Sequence, residues 1–242
     1  MTQIRKLTQL CPIQTALLKE KVMLVDRSDN IIGSASKEEA HLMSNITKTG
    51  MLHRAFSLFL FNSDNKLLMQ RRSPQKITFP NLYTNTCCSH PLFTIPLETD
   101  PVTGTKHAAI RRVKDELGIT DISFEDIHFM TRIVYFGASG ASDTCEEDAC
   151  TWGEHELDHV LIVRKDVEFV PNENEVSETR YIGREELAGL LEDEENFPVT
   201  PWFRIIATSM LTHWWDQIDR LHQLGDDKIH EFSFPPGLKG EV

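Results

Sequence analysis

The run KHAAIRRVKDELGI, residues 106–119, decides how the rest of the chain is read. Ala109, Ile110, Val113 and Leu117 recur at the three- and four-residue steps of one helical face, which predicts a helix over 106–117. Gly118 stands where helices commonly stop, because glycine enters the left-handed region without a side-chain clash. Moving outward, strands are expected at 21–26, 31–32, 55–61, 128–136, 156–164 and 180–182. A hairpin partner is expected at 66–71, turned on SDNK. Residues 37–43 read as a short helical turn, 184–191 as a helix, and Pro201 opens a last helix of about twenty residues. TFPNLYTNTCCSHP (78–91) is turn-rich and suits a site-bearing loop. The order predicts an α+β fold, one domain over 21–223, with an N-terminal extension (1–20) and a C-terminal tail (224–242).

The chain has 242 residues, with 25 Lys and Arg against 37 Asp and Glu, a formal charge of −12. That balance excludes general nucleic-acid binding, which needs a basic footprint. The absence of a long apolar run predicts no membrane insertion. Acidity is concentrated: 143–195 holds 18 acids and 4 bases, so the remainder holds 19 acids (37 − 18) and 21 bases (25 − 4), a net of +2. Five cysteines, two of them adjacent, and no secretory signal predict a reducing, cytoplasmic setting. The acid-free first 19 residues leave a transit peptide as the alternative.

RRVKDELGI (111–119) resembles the core of the Nudix box, the strand–loop–helix motif that binds metal and diphosphate. The resemblance implies a Nudix-like mixed sheet sandwiched by helices. That signature places a Glu directly after the first Arg and another eight residues before it; here Arg112 and Thr103 stand there. A hydrolase of this kind gathers Mg²⁺ through several helix carboxylates, and this chain has exchanged one for a cation. Arg112 and Glu116 share a helix face, so one would grip phosphate directly and the other through Mg²⁺. Taken alone, the pair reads equally well as a surface i,i+4 salt bridge.

TNTCCSHP (84–91), LHRAFS (52–57), GEHELD (153–158) and TPW (200–202) together resemble type I isopentenyl-diphosphate isomerase, a family on the Nudix fold, from about residue 20 to 222. The resemblance implies a metal site of His41, His53, His90, Glu154 and Glu156. Two carboxylates two apart in a strand face the same way, and three imidazoles with two carboxylates suit Zn²⁺, Mn²⁺ or Mg²⁺. It also implies Lys37, Arg72, Lys76, Ser89 and Arg112 as diphosphate contacts, with Glu116 acting through a substrate-bound Mg²⁺. Cys88, two residues before His90, is the implied catalytic thiol, with Cys87 buried beside it. A nearby metal and cations are expected to lower the Cys88 pKa.

The implied reaction turns isopentenyl diphosphate into dimethylallyl diphosphate, supplying isoprenoid and sterol synthesis. An alkene carbon is protonated, a tertiary carbocation forms, and a proton leaves two carbons away. Cys88 serves one side of the chain; Glu156, helped by Tyr135, serves the other; Trp202 lies over the cation. Either group can give the first proton. The rival readings are a Nudix diphosphohydrolase and a non-catalytic metal-binding interaction module.

Overall fold

The computed structural model describes residues 12–139 and 151–235; Cys11, Cys145, Cys150 and most of the 137–151 loop lie outside the described residues. In chain order the elements are α1 (Pro12–Leu17), β1 (Lys21–Val25), β2 (Ile31–Ser36), α2 (Lys37–His41), α3 (Met43–Thr49), β3 (His53–Phe61), β4 (Leu67–Arg72), β5 (Tyr83–Thr84) and β6 (Cys87–Ser89). After them come α4 (Pro101–Leu117), β7 (Ile127–Ser139), β8 (Trp152–Arg164), β9 (Val176–Ile182), α5 (Arg184–Glu192), α6 (Pro201–Ile206), α7 (Thr212–Asp216) and β10 (Ile229–Glu231).

The strands join in one mixed sheet, ordered β10-β7-β8-β3-β1-β2, with β4 and β6 pairing β3, and β5 and β9 pairing β4. β3 explains why two helical layers are needed, because all nine of its residues are buried. Phe56, Leu58 and Leu60 pack with Ala109, Val113 and Leu117 of α4. Phe59 and Phe61 face the other way, against Phe203, Leu211 and Trp215 of the C-terminal helices. Each such side chain contributes about 1.5–3 kcal/mol on burial, which favours covering both faces of the strand.

α4 ends as expected: Gly118 sits at φ 68° and its N–H bonds to the Lys114 carbonyl. It begins earlier than expected, at 101 rather than 106. Asp100 caps it, accepting the Thr103 N–H at 2.8 Å, and Pro101 occupies the first turn. The last helix also differs. Residues 201–216 are helical, but 207–211 form a wider π turn, and a separate 3₁₀ segment follows the break at Gln217. The segment expected as a tail supplies β10, which pairs in parallel with β7. Asp226 and Asp227 fasten it by accepting from Thr131 Oγ1 at 2.6 Å and Arg132 Nη2 at 2.9 Å. Among the described residues, no helix is long and apolar enough to cross a membrane.

Candidate active site

Sheet register brings together residues far apart in sequence. In the parallel β3–β8 pair His53 lies opposite Glu156, and in the antiparallel β7–β8 pair Tyr135 lies opposite Glu156. Ser57 of β3 lies opposite Cys88 of β6, and His90 follows that short strand. His41 closes α2, whose start is fixed by a capping box between Ser36 and Glu39.

The five expected metal ligands meet: one donor atom from each of His41, His53, His90, Glu154 and Glu156 lies within 4.8 Å of all the others, and all five residues are buried. His90 Nε2 is 2.7 Å from Glu156 Oε1 and 3.2 Å from His53 Nε2; His41 Nε2 is 2.9 Å from Glu154 Oε2. The donor set fits a divalent cation. His41 Nδ1 donates to the Lys37 carbonyl at 2.6 Å, which leaves its Nε2 lone pair turned inward. Glu154 Oε2 is a buried oxygen without a hydrogen-bond partner among the described residues. Converging lone pairs of this kind are what a cation satisfies. His155 points away, with Nδ1 at 3.1 Å from the Met51 carbonyl, and His159 is paired with Asp29 at 2.8 Å.

A cavity of about 90 Å³ opens beside this cluster, and Cys88, Tyr135, Glu156 and Trp202 all line it. Tyr135 donates to Glu156 Oε2, so that carboxylate serves the histidines with one oxygen and the phenol with the other. Burial opposes the ionised form of Glu156, but His53 and Tyr135 hold its carboxyl below the usual range. Burial, and then the Glu156 charge, keep Tyr135 a neutral phenol. Burial pushes the Cys88 thiol up to about 12, against the pull of Arg72, whose Nη1 lies 3.5 Å from Sγ. Without added charge compensation the resting group is a thiol and not a thiolate. Cys87 is fully buried, as expected, with Sγ 3.7 Å from Glu116 Oε2.

The expected diphosphate contacts Lys37, Arg72, Lys76, Ser89 and Arg112 line the same cavity. Arg112 and Glu116 form a buried pair at 2.5 Å, not a surface one. Burial alone would raise the Glu116 carboxyl, but Arg112 and Lys76 hold it well below the carboxylate range. Burial, with Arg112 nearby, pulls Lys37 down to about 8, although its Nζ is 2.5 Å from Glu20. Arg72 gives Nε and Nη2 to the Thr78 and Phe79 carbonyls, leaving Nη1 for the cavity side.

Several participants were not picked out by sequence reasoning. Counting back from Arg111 points to Thr103, yet the carboxylate that meets Arg111 is Glu98, at 2.7 Å to Nε and 2.8 Å to Nη2. Arg111 Nη2 is also 3.3 Å from the His90 carbonyl, so the pair braces the segment after a candidate ligand. Asn85, inside the quoted TNTCCSHP run, accepts from Trp202 Nε1 at 3.0 Å and donates to the carbonyls of Leu58 and Cys87. Gln70 donates to Glu116 at 3.2 Å, and Gln14 of α1 reaches the cavity wall. A turn-forming motif with a buried amide was a usable signal for Asn85; the others are long-range meetings without one.

Comparison with known proteins bears on this geometry. Residues 51–203 match the NUDIX domain family. A NUDIX hydrolase from Alicyclobacillus acidocaldarius superposes with a TM-score of 0.51 at 9% identity, over 71% of this chain and 96% of that one, a likeness of fold alone. The isopentenyl-diphosphate delta-isomerase of Gibberella zeae is 46% identical over 213 residues, 85% of this chain and 79% of its own. That of Mesocricetus auratus is 45% identical over 223 residues, 90% of this chain and 94% of its own. An Arabidopsis thaliana relative, named as the chloroplastic isomerase II, is 41% identical over 84% of this chain and 71% of its own. Identity at this level over nearly the full length, on the matching NUDIX domain, means that the chain belongs to the isopentenyl-diphosphate delta-isomerase family.

Proposed function

We propose that this enzyme interconverts isopentenyl and dimethylallyl diphosphate by moving one proton on and another off the carbon chain. The observation that carries the reading is the sharing of one cavity by two proton-exchanging groups, Cys88 and the Tyr135-bonded Glu156, and a cluster of cations. Protonation of the terminal alkene carbon leaves a tertiary carbocation, and loss of a proton from the carbon next to the diphosphate-bearing end gives the allylic product. One proton enters and one leaves, so no reductant or oxidant is needed. Because the reaction is reversible, each group is acid in one direction and base in the other.

Trp202 and Tyr135, 3% and 1% exposed, wall the reacting end against water, which would otherwise trap the cation as an alcohol. A cation–π contact with Trp202 adds about 0.5–2 kcal/mol, so shielding matters more than direct attraction. Asn85 holds the indole in place through Nε1. A divalent cation in the His/Glu cluster would orient Glu156 and adjust its proton affinity; three imidazoles favour Zn²⁺ or Mn²⁺ over Mg²⁺.

Leaving aside Glu154 and Glu156, whose charges a divalent cation in the His/Glu cluster would offset, Lys37, Arg72, Lys76 and Arg112 stand against Glu20, Glu116 and Glu175, a surplus of one positive charge (4 − 3). A diphosphate of about three negative charges with one Mg²⁺ carries about −1, so the complex matches that surplus. Glu116 would hold this Mg²⁺. A free thiol at Cys88 needs a reducing compartment, consistent with the cytoplasm. The test is incubation with isopentenyl diphosphate and divalent metal in deuterated water, read by NMR and by phosphate assay. Deuterated dimethylallyl diphosphate without phosphate is expected. Phosphate release without allylic product would overturn the reading.

A further inference from the structure

Glu175 is a buried carboxylate with no part in the proton transfer. It stands just before β9 and is 4% exposed. Its Oε2 is paired with Lys76 and lies 3.6 Å from Arg112 Nη2; its Oε1 accepts from Gln14 Nε2 at 3.2 Å. Its backbone carbonyl accepts the Ser73 N–H at 3.0 Å. Three separate segments, the turn after β4, α4 and α1, therefore meet on one residue. Lys76, Arg112 and Gln14 line the cavity, and Glu175 does not.

Cations gathered for a diphosphate repel one another whenever the cavity is empty. A lysine on a flexible four-carbon stem escapes that repulsion easily, by turning to solvent. A carboxylate behind the cations removes both problems: it offsets the repulsion and gives the ammonium and guanidinium one shared acceptor. We propose that Glu175 is a positioning residue for the diphosphate grip, presenting Lys76 and Arg112 to the substrate in a fixed arrangement and tying α1 to them through Gln14. The proposal rests on the reading that these two cations bind diphosphate. It assigns Glu175 to binding, not to the proton shift, so its removal acts on affinity and spares the chemical step.

The experiment compares the metal-loaded full chain with Glu175→Gln, Glu175→Asp, Lys76→Gln and the Lys76→Gln/Glu175→Gln double variant. Turnover of isopentenyl diphosphate and inhibition by inorganic pyrophosphate are measured for each. Glu175→Gln should raise KM and the pyrophosphate inhibition constant together by about tenfold, with kcat held within about threefold. Glu175→Asp should recover part of the loss, and in the Lys76→Gln background the Glu175 change should cost clearly less. A folded Glu175→Gln protein with unchanged KM and inhibition constant, a fall in kcat alone, or tighter pyrophosphate binding would each overturn the proposal. An equal loss in the Lys76→Gln background would overturn it as well. Lys76→Gln with unchanged pyrophosphate inhibition would instead refute the diphosphate reading beneath it. If Glu175→Gln does not fold, Gln14→Leu decides: a rise in KM at constant kcat supports the proposal, and no change overturns it.

Discussion

Cys87 and Cys88 are neighbours in the chain and opposites in surroundings. Cys88 opens to the cavity beside Arg72, whereas Cys87 is sealed against Glu116 and the apolar face of α4. On the proposed mechanism Cys88→Ala should therefore lower turnover by at least about a thousandfold, since it removes one of the two proton-exchanging groups outright. Cys87→Ala should keep most of the activity and cost about 1 kcal/mol of stability through a small cavity. Steady-state rates and thermal melts of the two variants separate these outcomes, and the reverse pattern would exchange their roles. Lys37 gives a second prediction at this scale. On the proposed reading its cation holds diphosphate, and its pKa is drawn down to about 8, so kcat/KM should fall as pH rises through about 8 in the free enzyme. Lys37→Arg should keep its charge and abolish that alkaline limb. The residue types that face the cavity were legible because a thiol, imidazoles and carboxylates in short motifs advertise chemistry. Glu175, Gln14 and Gln70 were not, because a side-chain meeting between positions 161 residues apart leaves no mark in local spacing.

At the scale of elements, α4 shows what pattern alone delivers. Its apolar period and terminal glycine were read correctly, while its first turn was lost because Val102, Thr103 and Gly104 carry no helical signature. The signal that was present is the Asp100–Pro101 pair, a capping side chain followed by a residue suited to the first turn. Gly104 sits in that turn for a steric reason: a Cβ there would lie 2.4 Å from the Glu98 carbonyl oxygen. Gly104→Ala should force the two backbones apart, costing about 1–3 kcal/mol and loosening the Glu98–Arg111 fork that braces the His90 segment. A lower melting temperature together with weaker metal retention checks this; a melting temperature equal to wild type would contradict it.

For the whole molecule, the net charge of −12 turns out to be mostly a property of the surface. Within the acidic stretch, Glu154, Glu156, Asp158 and Glu175 are buried, and every other described acid from 166 to 195 is exposed. The His/Glu cluster joins α2, β3, the segment after β6, and β8, so a bound cation would knit distant parts of the fold. Chelation should abolish turnover and lower the melting temperature, because metal bound only by the folded state stabilises it by mass action. Restoration of both by Zn²⁺ or Mn²⁺ supports the assignment, and a melt indifferent to chelator would count against it. The wide turn at 207–211 has its own effect at this scale. Each residue of a regular helix advances the side chains by about 100°, so one residue more or less redirects everything downstream. Trp202 must face Phe79 and the cavity, while Trp215 must meet Phe61 on the sheet. The wide turn acts as an angular offset between those two demands, and shortening it by a residue would swing Trp214 and Trp215 out of the core while leaving Trp202 in place.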